Sequence, residues 1–300
     1  MTIKRATSTT GPDYTTKNLN NDILSAIISN KRKEIELQME VISIQQLEDI
    51  ITNRDEDINT GKNIDLHNPM HKSLSKSIIT SPTGIIAEFK RRSPSKGWIN
   101  KDADIVSVIE GYSKAGASGI SVLTDEKFFG GNIKDLIEAK KNTDIPVLRK
   151  DFIISEYQIY QAKAVNADAV LLIAAALTKN ECKALARKAH ELGMEVLLEL
   201  HSEKELEYLG GDTTDNIDLI GINNRNLGSF HTDIENSFRL IGKLPEGYPL
   251  ISESGISDAE DILRLKSVGF NGFLMGESFM RNNSPHQSLA MLIEKLTANN

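Results

Sequence analysis

The 300-residue chain predicts an α/β fold, a (β/α)8 (TIM) barrel preceded by an N-terminal helical extension. Three observations carry this. Eight short apolar or β-branched runs follow one another after about residue 80, at 84–89, 119–123, 146–148, 169–173, 195–200, 219–222, 250–252 and 272–275. Helical patterns separate them, and strands alternating with helices imply parallel pairing through right-handed crossovers. The first run is not followed by G-x-G-x-x-G, which disfavours the doubly wound open sheet.

The elements follow in chain order. Residues 1–20 are polar, carry Asp13 and lack the apolar core of a secretory signal, so a disordered tail is expected. One barrel domain then spans 21–300, with the extension at 21–78. An amphipathic helix is expected over 21–39, with Leu24, Ile27, Ile28 and Ile35 inward and Lys31, Arg32, Lys33 and Glu34 toward solvent. A second is expected over 43–51, capped by Ser43, with Leu47 and Ile50 inward. Residues 53–69 read as a long polar connection, and the periodic part starts near Ile79. Between and after the strands, Ile105-Val108-Ile109-Tyr112, Cys182-Leu185-Ala186-Ala189, Ile262-Leu263-Leu265 and Leu289-Met291-Leu292-Leu296 mark helices.

Composition narrows the function classes. A net charge of −7 argues against nucleic acid as a partner, and no apolar run approaches the ~20 residues of a membrane span. Cys182 is the only cysteine, so no intramolecular disulfide or multi-cysteine metal site can form, and a cytoplasmic, reducing location is expected. The histidines are scattered. Only His201 lies near a strand end, where it reads as a surface or helix-start residue, and no metal set emerges.

In a (β/α)8 barrel the active site lies at the C-terminal ends of the strands. Glu88 and Lys90 end the first strand, two residues apart and hence on one face. Arg149-Lys150-Asp151-Phe152 ends the third, Glu199 the fifth, Asn223-Asn224-Arg225 the sixth and Glu253-Ser254-Gly255 the seventh. Asp151 reads as a cap for the helix starting near Ser155. A single charge at a strand end is commonplace, but charges at the same end of several strands would desolvate one another and shift their pKa values. The glycines of Glu253-Ser254-Gly255 and Gly276-Glu277-Ser278 stand in the loops after strands seven and eight, the usual phosphate cradle of this fold. Ser93 could add a hydroxyl. Alternatively, the glycines only permit tight turns.

The segments IIAEFKRRSPSKG, SVLTDEKFFGG, PVLRKDFIISEYQI, EVLLEL, IGINNRNL, ISESGI and FLMGESFM resemble, in order, those of the indole-3-glycerol-phosphate synthase family; only the fourth strand is unrepresented. The resemblance extends from about residue 21 to the end, and the first helix is similar to the segment that helps cover the barrel top in that family. It implies an enzyme without a cofactor or metal. Its partner would be a small sugar phosphate with an anthranilate moiety, 1-(2-carboxyphenylamino)-1-deoxyribulose 5-phosphate, and a monomer is the expectation. The products would be indole-3-glycerol phosphate, carbon dioxide and water, in tryptophan biosynthesis.

The matching positions imply Lys150 as general acid, Glu199 as catalytic glutamate, Glu88 and Lys90 as the first-strand pair, and Asn223 as the polarising asparagine, followed by Arg225. Glu253 and Ser254 match the seventh-strand motif. Phe129 and Phe152 look like walls of the anthranilate pocket, and Ser93, Gly255, Gly276 and Glu277 match the phosphate site. Some relatives carry Ser or Thr where Glu277 stands, so Glu277 fits only if its backbone binds and its side chain points away. Ring closure wants a protonated amine at the carbonyl oxygen, which suits Lys150. Lys90 can pair with the substrate carboxylate. Dehydration needs a base, Glu199, and an acid, either Lys90 or Lys150. A sister enzyme, phosphoribosylanthranilate isomerase, relies on a cysteine near its first strand, where this chain has none. A non-catalytic phosphate-binding barrel would not need Lys150 and Glu199.

Overall fold

The computed structural model describes residues 22–60, 71–210, 215–226 and 231–298. The expected disordered tail lies outside them, as do 61–69 of the expected connection. Strands β1 (Ile85–Phe89), β2 (Gly119–Leu123), β3 (Val147–Lys150), β4 (Ala169–Ile173), β5 (Glu195–Leu200), β6 (Leu219–Asn223), β7 (Leu250–Glu253) and β8 (Gly272–Met275) form a closed parallel barrel. Closure runs through β1, which pairs with β2 on one side and β8 on the other. Nearly every strand residue is buried, because the barrel core covers one face and the helices the other.

The outer layer comprises α4 (Ile105–Ala115), α6 (Ile133–Lys141), α7 (Glu156–Ala164), α8 (Lys179–Glu191), α9 (Glu235–Leu240), α10 (Ala259–Ser267) and α12 (Pro285–Ala298); the short helices α5 (Glu126–Phe129) and α11 (Glu277–Met280) follow β2 and β8. Side-chain caps start most of these helices: Asp104 for α4, Asn132 for α6, Ser155 for α7 and Asp258 for α10. Thr178 and Glu181 form a reciprocal capping box at α8. The inward stripes of α4 and α8 are buried as their spacing predicts. Leu263 in α10 and Met291 in α12 are exposed instead, since each lies off the stripe set by Ile262 and Leu265 or by Leu289, Leu292 and Leu296.

The extension departs most from expectation. Helix α1 (Asp22–Val41) buries Ile27 and Ile35, but Lys31, expected at the surface, is 1% exposed. Helix α2 (Ile44–Thr60) runs well into the stretch read as a connection; Ser43 caps it, Leu47 and Ile51 face inward, and Ile50 is exposed. A further short helix, α3 (Leu74–Thr80), was not legible in the sequence. Its Leu74 and Ile78 plug the N-terminal end of the barrel, where Gly119 and Gly272 leave room: a Cβ at Gly119 would come within 2.5 Å of Leu74 Cδ1. Glu195, at the start of β5, holds the front of α3 by accepting from Ser73 Oγ and from Ser75 N and Oγ.

One buried carboxylate ties this end together. Asp168 Oδ2 accepts from Lys140 Nζ at 2.5 Å and from Val147 N at 2.7 Å, while Oδ1 accepts from Lys72 N at 2.9 Å. Replacing Asp168 with alanine strands a buried ammonium, so Asp168→Ala is expected to destabilise the fold by about 3–5 kcal/mol, read as a lower urea midpoint. An unchanged midpoint would remove this cluster from the stability account.

Candidate active site

Strand parity brings the charged residues together. Ile86, Leu148, Leu197, Leu219 and Ile251 point into the barrel and share one apolar cluster. Two residues further along the same strands, on the same face, stand Glu88, Lys150, Glu199 and Glu253; Asn223 lies four beyond Leu219, with Gly221 between. The alternate residue on β3, Arg149, points outward and is held by Thr124, Asp151, Gln161 and the Gln158 carbonyl.

Lys150 stands at the centre. Its Nζ lies 2.9 Å from Glu199 Oε2 and 3.5 Å from Glu253 Oε2. Burial alone would pull the ammonium pKa down, but Glu199, Glu253 and Glu88 outweigh it and hold Lys150 charged. Burial likewise favours neutral Glu199, yet Lys150 and His201 keep it well below the usual carboxylate range. Glu253 goes the other way: burial first, then the charge of Glu199, push its carboxyl above that range. Neither Glu253 oxygen receives a hydrogen bond from the described residues. Gly221 makes its position possible, since a Cβ there would lie 2.2 Å from Glu253 Oε1. Just past β1, buried Lys90 donates to Glu88 Oε1.

Two adjoining cavities open here, sharing Glu88, Lys90, Arg225, Ser254 and Leu274 as lining. The inner one, about 70 Å³, has Lys150, Glu199 and Asn223 beside Phe129 and Phe152, whose rings are 6.0 Å apart. Helix α1 packs onto this apolar wall through Ile27. The outer cavity, about 300 Å³, is lined by Lys96, Arg225 and Arg281 and by the loops around Gly255 and Gly276. Ser254 and Gly255 both have positive φ, 67° and 77°. A non-glycine residue in that region is uncommon, and strained backbone of this kind gathers at ligand sites.

The comparisons with known proteins bear on the same residues. A profile described as indole-3-glycerol phosphate synthase matches residues 24–292. A protein of that name from Bacteroides thetaiotaomicron is 54% identical over 275 residues, 92% of this chain and 99% of its own length. Another, from Neisseria meningitidis serogroup B, is 42% identical over 260 residues, 87% and 95% of the two chains.

This chain belongs to the indole-3-glycerol phosphate synthase family.

Membership makes it a carboxy-lyase of tryptophan biosynthesis. Among solved structures, 3-hexulose-6-phosphate synthase from Salmonella typhimurium superposes with a TM-score of 0.54 at 11% identity, covering 71% of this chain and 99% of that one. Thiamine phosphate pyrophosphorylase from Pyrococcus furiosus does so at 0.52 and 14%, covering 73% and 97%. These two share the barrel fold. No helix among the described residues is long and apolar enough to cross a membrane.

Most of the family positions named from sequence converge on the two cavities. Ser93 and Glu253 are the exceptions: Glu253 lies buried behind Lys150, while the Ser93 hydroxyl accepts the Lys96 N–H within a small hairpin and Ser95 and Lys96 line the outer cavity in its place. The Glu277 carboxylate does not turn away. It lies 2.5 Å from Lys96 Nζ and 3.3 Å from Arg225 Nη2, on the cavity wall. Gly276 serves a packing need as well, since a Cβ there would lie 2.7 Å from Glu88 Oε1. Asp151 does not cap α7, which Ser155 does; it binds Lys31, Arg149 and Thr124. Cys182 is fully buried in α8, and burial pushes its thiol up to about 12, consistent with an inert core residue.

Two residues of the site were misread from sequence. Lys31 ion-pairs with Asp125 at 3.0 Å and Asp151 at 2.9 Å. Its signal was present: Ile27, Lys31 and Ile35 share one helical stripe. His201, expected at the surface or at a helix start, does stand just before the 3-10 segment Glu203–Leu209, but it is buried against Glu199, two residues upstream.

Proposed function

We propose that Lys150, Glu199 and Lys90 carry the family reaction on 1-(2-carboxyphenylamino)-1-deoxyribulose 5-phosphate, with the anthranilate ring in the inner cavity and the phosphate in the outer. The observation that carries this is Lys150 held between Glu199 and Glu253 on the floor of a cavity walled by two phenylalanines.

The ring carbon bearing the carboxylate attacks the ribulose carbonyl carbon. Lys150 donates a proton to the carbonyl oxygen as the new carbon–carbon bond forms. Loss of carbon dioxide leaves its bonding electrons in the ring and restores aromaticity. The new hydroxyl then departs as water, protonated by Lys90 or Lys150, while Glu199 removes the proton whose loss completes the indole. Lys90, lining both cavities, is placed to hold the substrate carboxylate before that group leaves. Glu253 is buried, lines neither cavity and stands 3.5 Å from Lys150 Nζ, so it acts on the charge of Lys150 and Glu199 rather than on the substrate. Asn223 lines the inner cavity and can orient that same part of the substrate.

Arg225 and Lys96 supply the cationic side of the phosphate cavity, with the backbone at Gly255 and Gly276 able to approach closely. Arg225→Ala is expected to raise KM about 10–100-fold, the loss of one charge-assisted contact, with a smaller change in kcat. Glu277→Gln is expected to lower KM in the same assay, because a carboxylate that occupies both cations opposes a dianion. A KM unmoved by Arg225→Ala would place the phosphate elsewhere.

The decisive experiment incubates the purified protein with the carboxyphenylamino-deoxyribulose phosphate, without added metal or nucleotide, and follows indole fluorescence. Turnover is expected. Tight binding of the sugar phosphate with no fluorescent product would favour a non-catalytic binding barrel.

A further inference from the structure

The steps above give no part to His201, a buried ionisable side chain at the barrel mouth. His201 directly follows β5 and its side chain is 8% exposed. Nε2 stands 3.2 Å from Glu199 Oε1 and Nδ1 3.6 Å from Glu205 Oε2. The other Glu199 oxygen, Oε2, meets Lys150. Glu205 is itself fixed: Oε2 accepts the His201 backbone N–H at 2.6 Å and Oε1 the Ser202 hydroxyl at 3.1 Å. Asn236 Nδ2 donates to the carbonyls of both His201 and Asn223, each at 3.1 Å, so the strand ends carrying Glu199 and Asn223 share a tie.

We propose that His201 is a positioning residue for the reaction: its imidazolium, backed by Glu205, holds the Glu199 carboxylate ionised and turned so that one oxygen faces Lys150. The proposal rests on Glu199 being the base.

The chemistry follows from the neighbours. Neither ring nitrogen makes a hydrogen bond among the described residues, so the contacts are ion pairs, and a ring can pair with both carboxylates only as the cation, with both nitrogens protonated. Glu199 is buried and Lys150 meets only one of its oxygens, so a cation at the other oxygen adds to the hold on the ionised form. The titratable groups around the ring are Glu199 from β5, Glu205 from the 3-10 segment Glu203–Leu209, Glu253 from β7 and Lys150 from β3. From α9, Arg239 reaches Asn236 Oδ1 at 2.6 Å rather than the imidazole. Burial opposes the imidazolium, but Glu199 and Glu205 raise its pKa to about 9, so the ring stays charged through the neutral range.

The test is the pH profile of kcat. His201→Asn keeps a polar side chain and removes the cation. The acid limb, where Glu199 takes up a proton, is expected to move to higher pH by about 1–3 units, the shift expected from losing a close opposite charge. KM is expected to stay within about twofold, since His201 lines neither cavity. Glu205→Gln keeps an acceptor but weakens the hold on the imidazolium proton. Its alkaline limb is expected to fall below the wild-type limb near pH 9. Lower activity with both limbs unmoved in the two variants would overturn the proposal, since a purely structural role changes amplitude and not position. Glu199→Gln separates the two levels. Near-normal turnover there removes Glu199 as base; an inactive Glu199→Gln beside unmoved limbs in both variants removes only the part given to His201.

Discussion

Lys150→Ala is expected to lower kcat by about 10²–10⁴-fold, the range for removing a general acid. The loss should fall on kcat, because the phosphate cavity is lined by Arg225, Lys96 and the Gly255 and Gly276 loops and not by Lys150. The variant has a second signature. Without the ammonium, Glu199 and Glu253 face each other in the barrel with His201 as remaining cation. Like charges at this range cannot both ionise, so Glu253, already pushed up in the wild type, loses the lowering influence of Lys150 and its folded-state pKa moves further above the unfolded value. Such a group contributes stability that is full below the unfolded glutamate pKa of about 4.3 and is lost as pH rises through the folded value. Lys150→Ala is therefore expected to gain stability relative to wild type on acidification, measured as Tm across pH 4–8. Adding Glu253→Gln should recover stability at neutral pH but no turnover. Near-normal turnover in Lys150→Ala would take Lys150 out of the mechanism.

The second large effect is structural. Lys31→Met is expected to destabilise the fold by about 3–5 kcal/mol, since it leaves Asp125 and Asp151 buried without their shared cation. Asp151 adjoins Lys150, and Asp125 caps α5, which carries Phe129, so the same ion cluster ties α1 to the acid and to the aromatic wall. Some loss of kcat should accompany the loss of stability. The pH dependence carries the sign. Burial raises the Asp151 pKa, but Lys31 and Arg149 outweigh it and bring it down to about 2. That depressed value contributes stability above the unfolded aspartate pKa of about 3.9, lost as pH falls toward about 2. Lys31→Met should show a shallower acid slope in urea midpoints between those values. A variant within 1 kcal/mol of wild type at pH 7, with the same slope, would show that the cluster is not holding the extension.

Much of this was legible in the amino-acid order. All eight strands appear in the chain at or within two residues of where their apolar runs predicted, because a parallel strand buried on both faces leaves a mostly apolar run with few polar interruptions. The convergence of Glu88, Lys150, Glu199, Asn223 and Glu253 followed from the same regularity. In a closed parallel barrel the C-terminal strand ends share one rim, and the two-residue period decides which of their side chains face the axis. Helices whose stripe lies on the barrel were equally plain; α3 was not, because a seven-residue helix holds too few turns to show a period.

What the chain's order determined by itself, then, was the barrel, its rim of charges and the family to which those segments belong. Tertiary structure decided which charges are paired and with whom. Lys31 reads as a solvated lysine until α1 lies over β2 and β3, where two carboxylates from far along the chain meet it. His201 reads as a surface residue until the 3-10 segment folds Glu205 back over it. The direction of the Glu277 side chain is open in the sequence until the hairpin after β1 brings Lys96 to it. Each of these assignments depends on a neighbour from another element. A charge's burial and pKa are set by the groups within a few ångströms in space, and local sequence carries no record of them.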